Sequence, residues 1–439
     1  MWRTIADGGR DKSPFLFDHI LSDRTLNKYT TSYSKMKKYL VTGGAGFIGA
    51  NFVKYILGKW GEEIEVVILD NLTYAGNLMT IKSELELDNV NFVKGDIGDN
   101  ELVGRLMRDF DPDYVVNFAA ESHVDRSITN PRLFMETNIL GTQNMLECAR
   151  QAWLDGTDED GKPKYRNGKK FLQISTDEVY GSLSKDFDEP HELTVSEDVE
   201  RVISGRDDIK TFGLKFFTEQ TPLAPRSPYS AAKTSADLIA MAYYETYGLP
   251  VNITRCSNNY GPYHFPEKLI PLMINNVLEG KELPVYGRGV NVRDWLYVED
   301  HAKAIDMVLR KGRVGEVYNI GGFNEEENIS IVKTILEVMA RIMEQEPTYR
   351  KLLKNGDWKA IGSDMISFVA DRPGHDMRYA IDPTKIATEL GWYPETPFKA
   401  GIERTVRWYI DNQEWVESVT SGDYQRYYQE MYGNRNANH

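Results

Sequence analysis

Two groups of side chains in this sequence can transfer protons. Thr176, Asp177 and Glu178 are consecutive, so a hydroxyl stands beside two carboxylates. Tyr229 and Lys233 are four residues apart and would share one face of a helix. Neighbouring carboxylates can divide acid and base roles when their pKa values differ, and an ammonium beside a phenol favours the phenolate. These residue types predict proton transfer to and from a substrate hydroxyl.

Each group also has an ordinary structural explanation. An Asp-Glu pair is common in the first turn of a helix, where it caps backbone N–H groups. A chain with 25 tyrosines can show a Tyr–Lys spacing of four by chance on a solvated helix face. Chance is a poor explanation once both groups occur together with the glycine-rich segment and the acid that follows it.

The glycine-rich segment has the layout of a dinucleotide-binding turn. Apolar residues 39–41 predict the end of a buried strand, and residues 50–57 predict a helix. Between them, Gly43 allows a tight turn, Gly46 admits a pyrophosphate, and Gly49 lets the helix approach the strand. The helix N-terminus then offers N–H groups to the phosphates. An ordinary turn is the alternative in a chain of 35 glycines, but the flanking elements favour dinucleotide binding.

Acidic residues follow the second and third predicted strands. Asp70 ends the apolar run 65–69. An acid about twenty residues past the glycines can accept hydrogen bonds from ribose hydroxyls and repel a ribose phosphate, so we expect NAD and not NADP. Asp96 and Ile97 could lie under the adenine ring. The structural alternatives are a turn-forming Asp70 and a helix-capping Asp96.

Strands alternate with helices in the first part of the chain. The pattern predicts strands at 39–41, 65–69, 91–95, 114–118, 171–174 and 250–254, and long helices at 131–151 and 228–247. Ala119 and Ala120 are small enough for a cofactor to lie flat after the fourth strand. This alternation predicts an α/β fold with a doubly wound parallel (Rossmann) sheet. Beyond Arg255, frequent prolines predict a smaller, mixed α/β lobe for the substrate.

We therefore expect three parts. They are an N-terminal extension (1–36), an NAD-binding Rossmann domain (37–255), and a region (256–439) that is mainly the substrate lobe, partly interleaved with the Rossmann domain. The extension is either dispensable or an arm that packs on a partner subunit. Three polar stretches predict surface insertions that are either functional or partly disordered, namely 155–170, 184–215 and 345–364.

The composition excludes several classes of protein. In 439 residues, 66 acidic and 52 basic side chains give a net charge of −14, which argues against a nucleic-acid or anionic-membrane surface. No apolar run has the length of a membrane span. Two cysteines in unrelated contexts suit a reducing cytoplasm, and seven scattered histidines without ligand spacing predict no metal.

Longer motifs carry a family resemblance. They are FAAESHVDRS (118–127), TDE (176–178), RCSNNYGPY (255–263), PEKLIP (266–271), RDWLYV (293–298) and DRPGH (371–375). From residue 38 to about 410, the chain resembles the dTDP-glucose 4,6-dehydratases of the extended short-chain dehydrogenase/reductase family. The TDE motif stands where related sugar epimerases have small residues.

The resemblance implies a three-step reaction without net redox. Tyr229, helped by Lys233, would take the proton from the hydroxyl on carbon 4 while NAD takes the hydride, and Thr176 would hydrogen-bond that oxygen. Glu178 would remove the proton from carbon 5, and Asp177 would protonate the hydroxyl leaving carbon 6. Return of the hydride to carbon 6 gives dTDP-4-dehydro-6-deoxy-glucose. NAD is regenerated in each turnover, so it should stay bound.

The resemblance also implies two sets of binding residues. Those for NAD, besides Tyr229 and Lys233, are Gly43, Gly46, Phe47, Ile48, Gly49, Asp70, Asn71, Leu72, Thr73, Asp96, Ile97, Phe118, Ala119, Ala120, Ser122, Thr137 and Asn259. Those for dTDP-glucose, besides Thr176, Asp177 and Glu178, are Ser122, Asn258, Lys268, Leu269, Pro284, Val285, Tyr286, Arg293, Asn328, Asp371, Arg372 and His375. Arg293 and Arg372 offer bidentate forks to the diphosphate. As structural alternatives, Arg293 could pair with Asp294, and Tyr286 could belong to the core.

Two further questions stay open at this point. In the family, helices such as 131–151 and 228–247 pair across a homodimer, although apolar faces usually belong to the core. The competing functions are a CDP- or GDP-sugar dehydratase, an epimerase or decarboxylase of the same fold, and a non-catalytic NAD-binding scaffold. Neither an epimerase nor a decarboxylase needs the Asp-Glu pair.

Overall fold

The computed structural model describes residues 36–193, 197, 200, 209–371 and 375–420. The predicted extension, apart from Met36, and Arg372 lie outside these residues. The strands are β1 (Lys37–Thr42), β2 (Ile64–Asp70), β3 (Val90–Lys94), β4 (Tyr114–Asn117), β5 (Leu154–Thr157), β6 (Pro163–Tyr165), β7 (Lys170–Thr176), β8 (His191–Glu192), β9 (Lys210–Thr211), β10 (Val251–Cys256), β11 (Asn258–Tyr260), β12 (Leu283–Tyr286), β13 (Val292–Tyr297), β14 (Val317–Ile320), β15 (Glu325–Glu327) and β16 (Ile366–Val369).

Helices connect these strands. The α-helices are α1 (Phe47–Trp60), α2 (Asn100–Arg105), α3 (Val124–Thr129), α4 (Pro131–Phe134), α5 (Thr142–Trp153), α6 (Pro228–Tyr247), α7 (Leu269–Glu279), α8 (Val298–Lys311), α9 (Asn328–Gln345), α10 (Thr384–Leu390), α11 (Phe398–Asp411) and α12 (Gln413–Thr420). Among the residues that the structure describes, no helix is both long and apolar enough to cross a membrane.

Seven parallel strands form the central sheet of the described chain, in the order β3-β2-β1-β4-β7-β10-β14. Strand β2 shows why such a sheet is buried on both faces. Val66 and Ile68 pack into one apolar cluster, and Val67 and Leu69 pack into another on the opposite face. The predicted doubly wound parallel sheet is confirmed. Its order reverses between β1 and β4, which is where such sheets bind ligands.

The seventh strand, β14, corrects the expectation of six. It lies beyond Arg255 and pairs with β10, from Ile253 opposite Val317 to Cys256 opposite Ile320. Four residues are too few for a periodic signal, so the sequence did not reveal this strand. The division into domains at residue 255 stays a proposal, since β14 comes from the second part.

The long helix predicted at 131–151 is present with an irregular centre. A π-helical stretch, Met135–Gly141, separates α4 from α5, and α5 ends at Trp153. Local π geometry often occurs at functional sites, and Thr137 of this stretch lines the cleft described below. The helix predicted at 228–247 has the bounds of α6.

The region after β10 builds a second core. Strands β11, β13 and β15 form one small sheet, and β12 pairs with β16. Helices α7, α9, α11 and α12 pack around them through a cluster that includes Ile335, Met339 and Tyr409. The polar stretch 155–170 contains the antiparallel pair β5 and β6, and the described part of 184–215 contains the pair β8 and β9.

Candidate active site

A cleft of about 500 Å³ opens at the carboxyl edge of the central sheet. Most residues that the sequence assigned to binding or catalysis line it, namely Gly43, Gly46, Phe47, Ile48, Gly49, Asp70, Asn71, Thr73, Asp96, Ile97, Phe118, Ala119, Ala120, Ser122, Thr137, Thr176, Glu178, Tyr229, Lys233, Asn258, Asn259, Lys268, Leu269, Pro284, Val285, Tyr286, Arg293, Asn328 and His375. Leu72, Asp177 and Asp371 are described but are not part of its lining.

The glycine turn has the geometry that a pyrophosphate requires. Gly43 has a φ of +66°, and a Cβ there would lie 2.7 Å from the backbone N of Ala119. A Cβ on Gly49 would lie 2.3 Å from the carbonyl oxygen of Gly43, so the helix can approach the strand only with glycine. Gly46 precedes α1 and provides no side-chain cap, which leaves the first N–H groups of the helix for a ligand. These residues fit a dinucleotide.

Asp70 organises the turn as well as lining the cleft. Its carboxylate accepts hydrogen bonds from the backbone N of Ala45 at 2.9 Å and of Leu72 at 2.8 Å. Leu72 therefore interacts with Asp70 through its backbone, which has a φ of +53°, and is not part of the cleft lining. Burial raises the pKa of the Asp70 carboxyl, against these two hydrogen bonds. These hydrogen bonds fix the Asp70 carboxylate against the glycine turn.

Asp96 lines the cleft and does not cap a helix. Its carboxylate accepts from Asn71 Nδ2 at 2.9 Å and from the backbone N of Gly98 at 2.7 Å. The cap of α2 is Asp99, which accepts from the backbone N of Leu102 at 3.0 Å. The capping alternative for Asp96 is therefore wrong.

Thr176, Asp177 and Glu178 follow β7 and enter the short 3₁₀-helix Asp177–Tyr180. The capping residue is Thr176, whose Oγ1 accepts from the backbone N of Glu178 at 3.3 Å. The Asp177 carboxyl is buried against it, with Oδ1 accepting from Thr176 Oγ1 at 3.3 Å. Burial, then the charges of Glu178 and Asp294, raise the pKa of Asp177 well above its usual range. Burial therefore favours the protonated form of this carboxyl.

Tyr229 and Lys233 are buried on the first turns of α6, which starts with a capping box between Ser227 and Ser230. Lys233 Nζ donates to the carbonyl oxygen of Ile174 at 2.5 Å, so strand β7 fixes the lysine. Burial, followed by the charge of Glu178, raises the pKa of Tyr229 well above its usual value. The sequence predicted that Lys233 and a bound nicotinamide cation together lower the pKa of this phenol. The groups of the protein alone act in the opposite direction, because removal from water and the charge of Glu178 raise the pKa of Tyr229, while burial lowers the pKa of Lys233.

Arg293 is buried on β13 and lines the cleft. Its Nη1 donates to its neighbour's carbonyl, Val292 O, at 2.7 Å, and its Nη2 donates to Asp376 O at 3.0 Å. Asp294, the alternative partner of Arg293, accepts hydrogen bonds from the backbone N of Gly322 and Asn324.

Other residues of the predicted nucleotide pocket lie near Arg293 in the fold. His375 Nδ1 and Asp371 Oδ1 are 2.7 Å apart, so Asp371 reaches the cleft through His375. Tyr286 lies edge-on to His375 at 6.3 Å between ring centres and lines the cleft, so it is not a core residue. Asn258 Oδ1 is buried without a hydrogen-bond partner among the described residues.

The sequence analysis did not assign several polar residues of the cleft. His264 stacks on Phe47 of the glycine turn at 4.2 Å, and burial lowers its pKa well below the usual value, so the ring is neutral. Glu267 lies 3.6 Å from Arg126, whose guanidinium stacks on Tyr74. His264 directly follows the motif 255–263, and Glu267 lies within the motif 266–271. Their positions at these motifs were the sequence feature that could have identified them as cleft residues. Among the described residues, no cluster of His, Cys, Asp or Glu is arranged to hold a metal.

Comparisons with known proteins agree with this geometry. The family model described as GDP-mannose 4,6 dehydratase matches residues 40–195 and 211–405. The dTDP-glucose 4,6-dehydratase of Salmonella typhimurium is 48% identical over 398 residues, which are 91% of this chain and 99% of that protein.

Two crystal structures of dTDP-glucose 4,6-dehydratases have a similar fold. The Bacillus anthracis enzyme, in complex with NAD, is 44% identical with a TM-score of 0.68, and the match covers 87% of this chain and 99% of that one. The Streptomyces venezuelae enzyme, with NAD and a second ligand bound, is 41% identical with a TM-score of 0.70 over the same shares. The chain therefore belongs to the dTDP-glucose 4,6-dehydratase family.

Proposed function

We propose that this protein is an NAD-dependent hydro-lyase that converts dTDP-glucose to dTDP-4-dehydro-6-deoxy-glucose. One observation carries the proposal. The buried Asp177, whose pKa burial raises, adjoins Glu178 at the same sheet edge as Tyr229 and Lys233. Elimination of water needs an acid and a base together, whereas epimerisation needs neither carboxyl group.

The oxidation at carbon 4 uses the residues of α6 and the end of β7. NAD, when bound, accepts a hydride from carbon 4 and later returns it to carbon 6. Tyr229 removes the proton from the hydroxyl on carbon 4, and Thr176 hydrogen-bonds the same oxygen. Lys233, fixed by the Ile174 carbonyl, holds a positive charge near the phenol. Because burial raises the pKa of Tyr229, the phenolate also needs the positive charge of the nicotinamide.

The elimination uses the two carboxyl groups. The ketone at carbon 4 acidifies the proton on carbon 5, and Glu178, which lines the cleft, removes it. Asp177 protonates the hydroxyl that leaves carbon 6. Asp177 is buried between two residues that line the cleft, and Thr176 holds its carboxyl through the hydrogen bond to Oδ1.

The nucleotide would bind beyond these groups, toward the second core. Arg293 offers a buried guanidinium to the diphosphate, which matters in a chain with a net charge of −14. Asn258 contributes a buried amide oxygen without a partner among the described residues. The other predicted pocket residues are assigned to the substrate because they line the same cleft. The substrate assignment of Arg372, outside the described residues, rests on its motif.

The proposal also includes a homodimeric assembly and a cytoplasmic location. Leu140 of the π-helical stretch and Leu238 of α6 expose 60% and 58% of their surfaces, and these are the elements that we expect to pair in a homodimer. We also propose a cytoplasmic location, because Cys148 and Cys256 are buried as free thiols, which suits a reducing compartment.

Mass spectrometry of the purified protein tests this function. The protein is incubated separately with dTDP-glucose, CDP-glucose and GDP-mannose, without added NAD. We expect the loss of one water from dTDP-glucose alone, since the cofactor stays bound. Loss of water from CDP-glucose or GDP-mannose would instead assign the enzyme to that nucleotide base. An isomer or a decarboxylated product with no water loss, also after NAD is added, would refute the roles of Asp177 and Glu178.

A further inference from the structure

Strand β15 consists of three consecutive carboxylates, Glu325–Glu327, and each meets a cation from elsewhere in the chain. Glu325 is buried and accepts two hydrogen bonds of 2.7 Å from the guanidinium of Arg378, which is fully buried. Lys210 Nζ lies 2.7 Å from Glu326, and Lys185 forms an ion pair with Glu327. Three adjacent negative charges are thereby neutralised on one short strand.

Two of these cations come from the polar stretch 184–215, which the proposed reaction does not use. We call the described residues 184–192 and 209–215 its flanks. The flanks pair through β8 and β9, and the backbone N of Asp186 donates to Phe212 O at 2.9 Å. Phe212 in turn donates its backbone N to Glu325 at 3.0 Å. Both flanks are therefore tied to β15.

Strand β15 adjoins residues of the nucleotide pocket. Asn328 follows it directly and lines the cleft at the start of α9. Across the antiparallel pair with β13, Glu326 is opposite Arg293. A shift of β15 would therefore move Asn328 and disturb the strand that carries Arg293.

Arg378 connects the same flanks to His375. The Arg378 guanidinium donates to the carbonyl oxygens of Lys215 at 2.7 Å and Gly213 at 3.2 Å. Three residues earlier is His375, which lines the cleft, and between them Asp376 accepts from Arg293. One network thus contacts the three segments that carry Arg293, Asn328 and His375.

We infer that the flanks of 184–215 are a positioning element for the nucleotide end of the substrate, acting through their ion pairs with Glu326 and Glu327. The inference rests on the proposed function, because it assigns a dTDP-sugar to this end of the cleft. Lys185 and Lys210 are not part of the cleft lining, so they would act on substrate affinity and not on the chemical steps. The buried pair Arg378–Glu325 anchors β15, and the two lysine pairs fix the positions of Glu326 and Glu327 at its end.

The double variant Lys185→Met with Lys210→Met tests this inference on the NAD-loaded full chain. The side chains of Lys185 and Lys210 are 13% and 34% exposed, and methionine keeps the aliphatic stem of each, so the substitutions remove the charges with little change in packing. Partly exposed ion pairs each change an equilibrium by about threefold, and two together by about tenfold if they add. We expect KM for dTDP-glucose and Kd for dTDP to rise about tenfold, with kcat within twofold and unchanged NAD content.

Two controls separate positioning from a general loss of stability. Lys303→Met removes an ion pair with Glu395 that is more exposed, at 32% and 47%, and lies outside the cleft lining, so it should leave KM unchanged. The exchanged pair Lys210→Glu with Glu326→Lys should restore the KM that Lys210→Glu alone raises, because it rebuilds the ion pair.

Unchanged KM and Kd in the double variant would overturn the inference. So would a fall in kcat together with loss of NAD, since that pattern indicates a structural role. If the wild-type protein binds dTDP without dehydrating dTDP-glucose, the proposed function fails, and Kd for dTDP still decides the inference. If it does not bind dTDP, both fail.

Discussion

Asp177→Asn separates the oxidation from the elimination. The substitution preserves shape, and because burial raises the pKa of Asp177, it replaces a neutral carboxyl with a neutral amide. Oδ1 accepts from Thr176, and Oδ2 is buried without a hydrogen-bond partner among the described residues. The amide therefore fits without breaking a described contact, and the fold and NAD content should be unchanged.

The magnitude follows from the loss of one general acid. Such a group accelerates its step by about 10²- to 10⁴-fold, so the barrier to loss of the hydroxyl from carbon 6 should rise by about 3–5 kcal/mol. Tyr229 and Lys233 are untouched, so oxidation at carbon 4 should proceed at the wild-type rate. Elimination becomes rate-limiting, and reduced cofactor should accumulate on the enzyme.

Single-turnover absorbance of NADH, with mass spectrometry in deuterated water, measures both steps. Asp177→Asn should form NADH rapidly, exchange the proton on carbon 5 through Glu178, and release product slowly. Glu178→Gln is the matched control, since it should form NADH without that exchange. Dehydration by Asp177→Asn at a rate within tenfold of the wild type would refute the acid role.

Four other predictions follow from the geometry. Gly49→Ala should lower NAD content at least tenfold by pushing apart strand and helix, whereas Gly58→Ala, with no atom near its Cβ, should retain NAD and stabilise α1 by about 0.5–1 kcal/mol in urea unfolding. Leu238→Asp should shift a homodimer to monomers in light scattering, and an unchanged mass would exclude this face. Burial raises the pKa of Asp294 to about 6, so the stability contributed by its protonated form is fully present below pH 4. The free energy of unfolding should fall by about 3 kcal/mol as the pH rises through 6. The Asp294→Asn variant should lack this pH dependence of the unfolding free energy. The phenol of Tyr229 should titrate at lower pH in the NAD form than in the NADH form in ultraviolet difference spectra, and equal values would contradict the role of the nicotinamide charge.

Local patterns predicted most of the residues that the structure brings together in the cleft. The glycine spacing depends on one turn, and the Tyr229–Lys233 spacing on one helix face, so both can be recognised within a few residues. The alternation of strands and helices predicted the doubly wound parallel sheet. In contrast, β14 has four residues, and its place in the sheet depends on pairing with β10. Such long-range pairing leaves no periodic signal in the sequence.

Burial, like long-range strand pairing, cannot be predicted from local sequence patterns. The sequence suggested that Lys233 lowers the pKa of Tyr229, but the charge environment depends on how far α6 and β7 exclude water. His264 was missed for the same reason, since its stacking on Phe47 joins segments that are over 200 residues apart. Asp70 was assigned to the ribose, and its hydrogen bonds to the glycine turn became visible only in the fold.

The negative charge of Glu178 links the acid and the phenol in one arrangement. After burial, it is the largest cause that raises the pKa of both Asp177 and Tyr229. Burial and this charge together disfavour a second negative charge on Asp177 or Tyr229, because a charge buried beside a like charge is costly. A base with a neighbouring proton donor is what elimination needs, whereas a phenolate is what oxidation needs. Burial thus prepares this site for elimination before any substrate binds, and oxidation depends on the positive charge that the cofactor adds.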